Sequence, residues 1–372
     1  MSFFTNYLAY IHTFALLNKF ISVIVQKLYS KLVGVKQIFI RVDGNNIIGY
    51  GHLFRCIALA DMLKRTFDIT FIEKDSNDFA CLQLQKITTN IIHIKNCAIE
   101  EEANLITNTI LNHSSIFILD GYQYTSEYQK TIKKSGAALV CIDDLHNVHF
   151  YADVIINQAS GVTQNQYKNE PYTQFCLGFD WIIQRTSFIE SSKQKRQFNQ
   201  IESVFFTLGG GPIFNVAAKI LSVLDEIPLV KRIVFLKGSQ DVFEKDIKPF
   251  IISTSKQFEI YEGLNDKELS TLMKTCDIAI CPASVVCLEA CSVGIGIYAG
   301  YTADNQIDNY NGLVINNLVF ELNDLISSSK EEIKERITQK LSIQNILPQI
   351  ENQKRIFDGN SKQRYIQLFK SL

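Results

Sequence analysis

From residue 37 onward, short apolar runs alternate with amphipathic stretches, and that alternation constrains the fold more than any other feature of the chain. "QIFIRV" (37–42), "ITFIE", "IIHI", "SIFILD" and "ALVCIDD" have strand length and are bounded by turn residues. After the first of them, Leu53, Cys56, Ile57, Ala60 and Leu63 recur at helical spacing, and "EEANLITNTILNH" reads as a helix too. Continuous apolar runs separated by helices predict parallel strands covered on both faces. A second series opens near residue 203 with "SVFFTLGGG", "RIVFLKG", "FEIYEG" and "DIAICPAS", and the polar run "ESSKQKRQFNQ" separates the two. The expectation is an α/β chain of two doubly wound, Rossmann-like domains facing a cleft. Residues 37–190 form the first, 191–202 a linker and 203–352 the second, with a helix in 353–372 returning to the first.

Residues 1–36 stand outside this pattern. They are largely apolar, carry Lys19, Lys27, Lys31 and Lys36, and contain no acid. Lys19 interrupts the only stretch near the 20 or so apolar residues a membrane span needs. The start lacks the basic residues and small-residue cleavage site of a secretory signal. The segment reads as a helical extension, docked on the body or in peripheral contact with anionic lipid. A formal charge of −1 leaves no electrostatic footprint for nucleic acid. Nine cysteines without a C-x-x-C pair suit a reducing cytoplasm, the expected location. Cys276, Cys281, Cys287 and Cys291 cluster with no histidine nearby, and read as buried small hydrophobes rather than metal ligands.

In doubly wound sheets, ligands bind beyond the carboxyl ends of the strands. The informative loops are therefore 43–52, 120–123, 143–146, 208–215, 281–289 and 300–306. The first, "VDGNNIIGYGH", carries Gly44, Gly49 and Gly51 and delivers His52 to the start of a helix. Unpaired backbone N–H groups there favour an anionic group such as a diphosphate. The same field disfavours imidazolium, leaving a neutral ring able to accept a proton. The alternative is a histidine that packs against its loop. "TLGGGPIF" places Gly209, Gly210 and Gly211 before Asn215 and shows only that backbone passes close to something. Glu289, in the first turns of the helix after "CPAS", suits either a ribose hydroxyl pair or the helix dipole. Asp120, Asp143 and Asp144 end strands, where caps and active-site groups look alike.

Taken in order, these loops resemble a known family. "RVDGNNIIGYGHLFRCIALADML" resembles the opening signature of the UDP-2,4-diacetamido-2,4,6-trideoxy-β-L-altropyranose hydrolases of pseudaminic acid synthesis, which are grouped with spore-coat polysaccharide glycosyltransferase-like proteins. "IDDLHNVHFYADVIINQ", "TLGGGPIFN", "LEACSVGIGIYAGYTADNQ" and "FDGNSKQRYIQLF" are similar to later motifs of that family, in the same order along residues 37–372. The resemblance implies a glycosyltransferase-B-like fold and metal-independent hydrolysis of a UDP-sugar at its anomeric C–O bond, with no cofactor. It makes His52 the base that activates water and has Asp43 and Arg55 hold its loop. Tyr122 would line the sugar pocket. Gly209, Gly210 and Gly211 would serve the phosphates, Glu289 the ribose, and Asn305 with Gln306 the sugar or phosphate region, with Asn215 and Ser284 among the substrate-binding residues. Gly49 and Gly51 would let substrate approach.

Three departures stand out. Gly121 replaces the second histidine of the family's D-H-Y, Pro212 replaces the acid of G-G-x-D, and Val285 and Val286 stand where hydroxyls are expected. Two other readings follow: a glycosyltransferase using a UDP-sugar donor, and a non-catalytic nucleotide-sugar binder.

Overall fold

The computed structural model describes residues 35–209, 214–238 and 247–372. The extension expected at 1–36 falls outside them except for Val35 and Lys36, as do Gly210, Gly211 and Pro212. The first series supplies β1 (Gln37–Arg41), β2 (Asp68–Glu73), β3 (Ile91–His93), β4 (Ser115–Asp120), β5 (Ala138–Ile142), β6 (His149–Phe150), β7 (Val154–Asn157), β8 (Lys168–Asn169) and β9 (Gln174–Leu177). Seven of these form one sheet in the order β3-β2-β1-β4-β5-β7-β9, while β6 pairs with β8 in a separate ribbon. The second series supplies β10 (Ser203–Phe206), β11 (Arg232–Leu236), β12 (Gln257–Tyr261), β13 (Ile278–Pro282), β14 (Gly296–Tyr301) and β15 (Phe320–Asp324), in the order β12-β11-β10-β13-β14-β15. The strands flanking β1 and β10 pair with them in parallel. These are the two doubly wound sheets expected. Their order reverses between β1 and β4 and between β10 and β13, the switch points beyond whose carboxyl ends ligands bind in such sheets.

The chain packs as two compact units, one running to Cys141 and including Phe369–Leu372, the other Ile142–Leu368. In the first, the Phe369 ring lies 6.2 Å from that of Phe67, and Lys36 Nζ donates to the Lys370 carbonyl at 2.9 Å. Strand β1 is buried along Ile38, Phe39 and Ile40, and a buried Arg41 follows them. A guanidinium there requires anions. Glu102, on the helix Ile99–Thr109, takes its Nε at 2.7 Å and Nη2 at 3.2 Å, while Asp43 lies 2.7 Å from Nη1. Tyr128 donates to the same Glu102 at 2.8 Å, and Lys74 stands 3.3 Å from it.

The helix Gly51–Leu63 buries Leu53, Cys56, Leu59, Ala60, Met62 and Leu63, a wider face than the stripe expected, with Ile57 only half-buried. Full burial of each large side chain contributes roughly 1.5–3 kcal/mol, which pins the start of the helix to the sheet. Leu53 packs so closely under Gly44 that a Cβ there would meet its Cδ2 at 2.8 Å. Gly44 is thus required by packing.

In the second unit, Cys276, Cys281, Cys287 and Cys291 are fully buried in one hydrophobic cluster with Phe205, Leu288 and Ile297. The expectation of cysteines used as small hydrophobes holds. The helix Val285–Val293 ends on Gly294 at φ 72°, whose N–H returns to the Ala290 and Cys291 carbonyls. Among the described residues, no helix is long and apolar enough to cross a membrane.

Candidate active site

His52 is the second residue of its helix. The helix starts at Gly51 with no side-chain cap from Tyr50 and no acid in its first turn, so its leading N–H groups are left for other partners. The loop before it is built on Asn45. Its Oδ1 accepts from the N–H groups of Ile47 (2.8 Å) and Ile48 (2.9 Å), and its Nδ2 donates to the Asp75 carbonyl at 2.7 Å. Gly49 then turns the chain at φ 79°, a conformation that favours glycine. A Cβ on Gly51 would meet nothing within 4 Å, so its backbone faces open space at the helix start.

Asp120 closes β4, across the sheet's reversal from β1, and this topology brings it to His52. His52 Nδ1 lies 2.6 Å from Asp120 Oδ1. Arg55, one turn along the helix, donates from Nε to Oδ2 at 2.9 Å and from Nη2 to Oδ1 at 2.7 Å. Cys56 Sγ reaches Oδ2 at 3.4 Å. Burial alone would raise the pKa of Asp120, but the charges and hydrogen bonds of Arg55 and His52 outweigh it and hold the carboxyl at about 2. A contact of 2.6 Å to an ionised carboxylate requires the ring hydrogen on Nδ1, which assigns the tautomer. In the neutral ring, the lone pair is then on Nε2. Tyr122, half exposed, sets its ring edge-on to the imidazole at 4.5 Å between centroids.

Asp120, which the sequence leaves open between a cap and a site group, orients the His52 ring. Asp43 has a different task from holding the His52 loop directly. Its Oδ1 accepts from the N–H groups of Lys74 (2.7 Å) and Asp75 (3.1 Å), its Oδ2 faces Arg41, and it is buried. It ties the exit of β1 to the exit of β2, and through the Asp75 carbonyl to Asn45. Arg55 acts on Asp120 and on the His52 side of the loop. Asp143 is a turn cap, accepting from the N–H groups of Leu145 and His146. A cavity lined by Val35, Lys64, Phe67, Ile69 and Thr88 lies at the strands' amino-terminal edge and touches none of the site residues named here.

Gly121 adopts φ 153°, and a Cβ on it would meet Gln123 Oε1 at 2.6 Å and Tyr124 Cε2 at 3.0 Å. A side chain at this position would displace the movable end of Gln123 and sit in a backbone conformation that favours glycine.

The second unit assembles a different set. Gly209 turns at φ 77°, with its N–H on Thr207 Oγ1 at 3.2 Å, and Asn215 is exposed near the start of the helix Phe214–Asp225. Ser284 precedes the helix Val285–Val293 without capping it, and Val285 is partly exposed. Glu289, the fifth residue of that helix, is buried and receives Arg185 through Nε–Oε1 (2.7 Å) and Nη2–Oε2 (2.8 Å). Arg185 carried no motif and went unread in the sequence; its only signal is a lone charge inside "WIIQRTSF". Asn305 is exposed in the turn Asp304–Gln306, and Gln306 Oε1 accepts from the Thr302 N–H at 2.9 Å.

No protein-family model matches the chain. Three curated relatives do. A UDP-2,4-diacetamido-2,4,6-trideoxy-β-L-altropyranose hydrolase from Campylobacter jejuni is 25% identical over 222 residues, 58% of this chain and 74% of that protein. The chain is a distant relative of that hydrolase. The spore coat polysaccharide biosynthesis protein SpsG of Bacillus subtilis is 23% identical over 258 residues, 68% of this chain and 74% of that one. An uncharacterised protein of Methanocaldococcus jannaschii is 24% identical over 289 residues, 74% of this chain but 57% of its own length, so the chain spans little more than half of it. Among solved structures, MurG from Acinetobacter baumannii aligns with a TM-score of 0.64 at 11% identity, covering 90% of this chain and 100% of that one. At that identity the likeness shows the fold, which is of the glycosyltransferase-B type.

Proposed function

We propose that the protein hydrolyses a UDP-linked 6-deoxy diacetamido sugar at the anomeric C–O bond, releasing UDP and the free sugar for synthesis of a nonulosonic acid of the pseudaminic type. The observation that carries this reading is the His52–Asp120 pair, a histidine oriented by a buried carboxylate at the switch point of its sheet. Water at Nε2 gives a proton to the ring as its oxygen bonds to the anomeric carbon. The C–O bond to the diphosphate breaks and its electron pair leaves with UDP. Tyr122 borders the sugar, Gly209, Ser284 and the start of the Val285–Val293 helix take the diphosphate, and Glu289 takes the ribose. By the resemblance, Asn305 and Gln306 would serve the sugar or phosphate. The relative named as such a hydrolase supports the substrate class.

The test is UDP release from a panel of UDP-sugars, with and without added sugar acceptors. The expected result is release that needs no acceptor, with unlinked sugar as the second product. Release that depends on an acceptor would make the protein a glycosyltransferase using the same histidine. UDP binding without turnover on any substrate would make it a nucleotide-sugar binder.

A further inference from the structure

The proposed function leaves Arg185 without a role. It immediately precedes the helix Thr186–Ser192, and its guanidinium carbon lies 5.1 Å from the centroid of the Phe188 ring. Its neighbour Gln184 donates to the Leu288 carbonyl at 3.3 Å and to the Ser292 hydroxyl, so the backbone carrying Arg185 is docked on the helix that carries Glu289. The Glu289 side chain is 3% exposed and that of Arg185 26%. An ionised carboxylate offers about four lone-pair sites on its two oxygens. The fork of Arg185 uses one on each oxygen and leaves one on each. Among the described residues, no other hydrogen bond to the Glu289 carboxylate is recorded. Two acceptors side by side, in a plane that cannot turn, match the two O–H donors of a vicinal diol.

We infer that Arg185 is a positioning residue that makes Glu289 a reader of the ribose cis-diol, so that the site prefers ribonucleoside to 2′-deoxyribonucleoside diphosphates. This rests on the nucleotide reading above. The last torsion of a glutamate is broad and roughly two-fold. Without the fork, the carboxylate re-aims at whatever single hydroxyl is present. With the fork in place, a missing hydroxyl leaves a buried acceptor unpaired, and sites built to bond a hydroxyl reject analogues that lack it. Lysine would supply the charge as a point and leave the plane free to turn.

The test is calorimetric binding of UDP and 2′-deoxy-UDP to the full chain, for the wild type, Arg185→Gln and Arg185→Lys. The wild type should prefer UDP by about tenfold or more. Arg185→Gln should bring the two affinities within about threefold of each other, and Arg185→Lys should fall between. A merely structural role would weaken both ligands equally and keep the ratio, which overturns the inference. If Arg185→Gln does not fold, a wild-type ratio in Arg185→Lys overturns it. A wild type that binds neither ligand removes the nucleotide reading, and this inference with it. A wild type that binds both equally removes the inference alone.

Discussion

Each unit buries a carboxylate under an arginine fork, and the two forks differ in what else reaches the anion. On Asp120, the sites that Arg55 leaves are met by His52 Nδ1 and Cys56 Sγ, so the carboxylate spends itself wholly inside the protein. On Glu289, Arg185 is the partner recorded among the described residues, and one acceptor site on each oxygen remains. A saturated anion can only orient its neighbours, and the neighbour it orients is an imidazole with a free nitrogen. An unsaturated anion can itself hold a ligand. The two sheets share a strand order around their reversal points, so the scaffold does not decide between these chemistries. The third partner does.

The most direct way to break this contrast is to remove that partner. His52→Asn should keep the fold and lower kcat by about 10²–10⁴, with KM and UDP affinity little changed. Retention of more than about a tenth of wild-type kcat would show that His52 is not the base. Asp120→Asn sharpens the same point, because an amide no longer fixes the ring hydrogen on Nδ1. We expect kcat to fall by about 10²–10⁴, and stability at neutral pH by about 3 kcal/mol, since Arg55 loses its counter-ion. The acid limb carries a second signature. With its folded pKa near 2, below the unfolded carboxylate value, Asp120 contributes stability that is present above about pH 4. That contribution, on the order of 2 kcal/mol, is lost as pH falls through about 2. Thermal melts between pH 5 and pH 2 should therefore decline less steeply for Asp120→Asn than for the wild type. Parallel curves would contradict the assignment. The smallest effect belongs to the other unit. Val285→Ser returns a hydroxyl to the partly exposed helix start and should tighten UDP about fivefold, near 1 kcal/mol. Unchanged UDP affinity would mean that the diphosphate does not rest there.

What the sequence disclosed and what it withheld divide along the same line. The strands were legible because parallel strands buried on both faces are continuously apolar in their middle, as "IFIL" (116–119) is inside Ser115–Asp120. His52 was legible because its glycines, its strand and its helix are neighbours in the chain. Asp120 and Arg185 were not, because their partners lie 68 and 104 residues away and meet them only through tertiary packing. A carboxylate ending a strand looks the same in sequence whether it caps a turn, as Asp143 does, or orients a ring, as Asp120 does. The buried charge at Arg41 inside "QIFIRV" was the sort of clue that points to an unseen anion, and Glu102 supplies it. The conformation of Gly121 was beyond reach, since φ is not written in residue type.

The fastening of the loop before His52 also sorts its positions by what variation they tolerate. Glu102, Arg41, Asp43 and Asn45 form a relay from a distant helix to the turn, so a change at Glu102, remote in sequence, would reach the ring. Ile47 and Ile48 give their backbone N–H groups to that turn, and their residues are 94% and 49% exposed. Substitutions at 47 and 48 are therefore expected to leave the turn standing, whereas a change at any of the four relay residues is expected to loosen it.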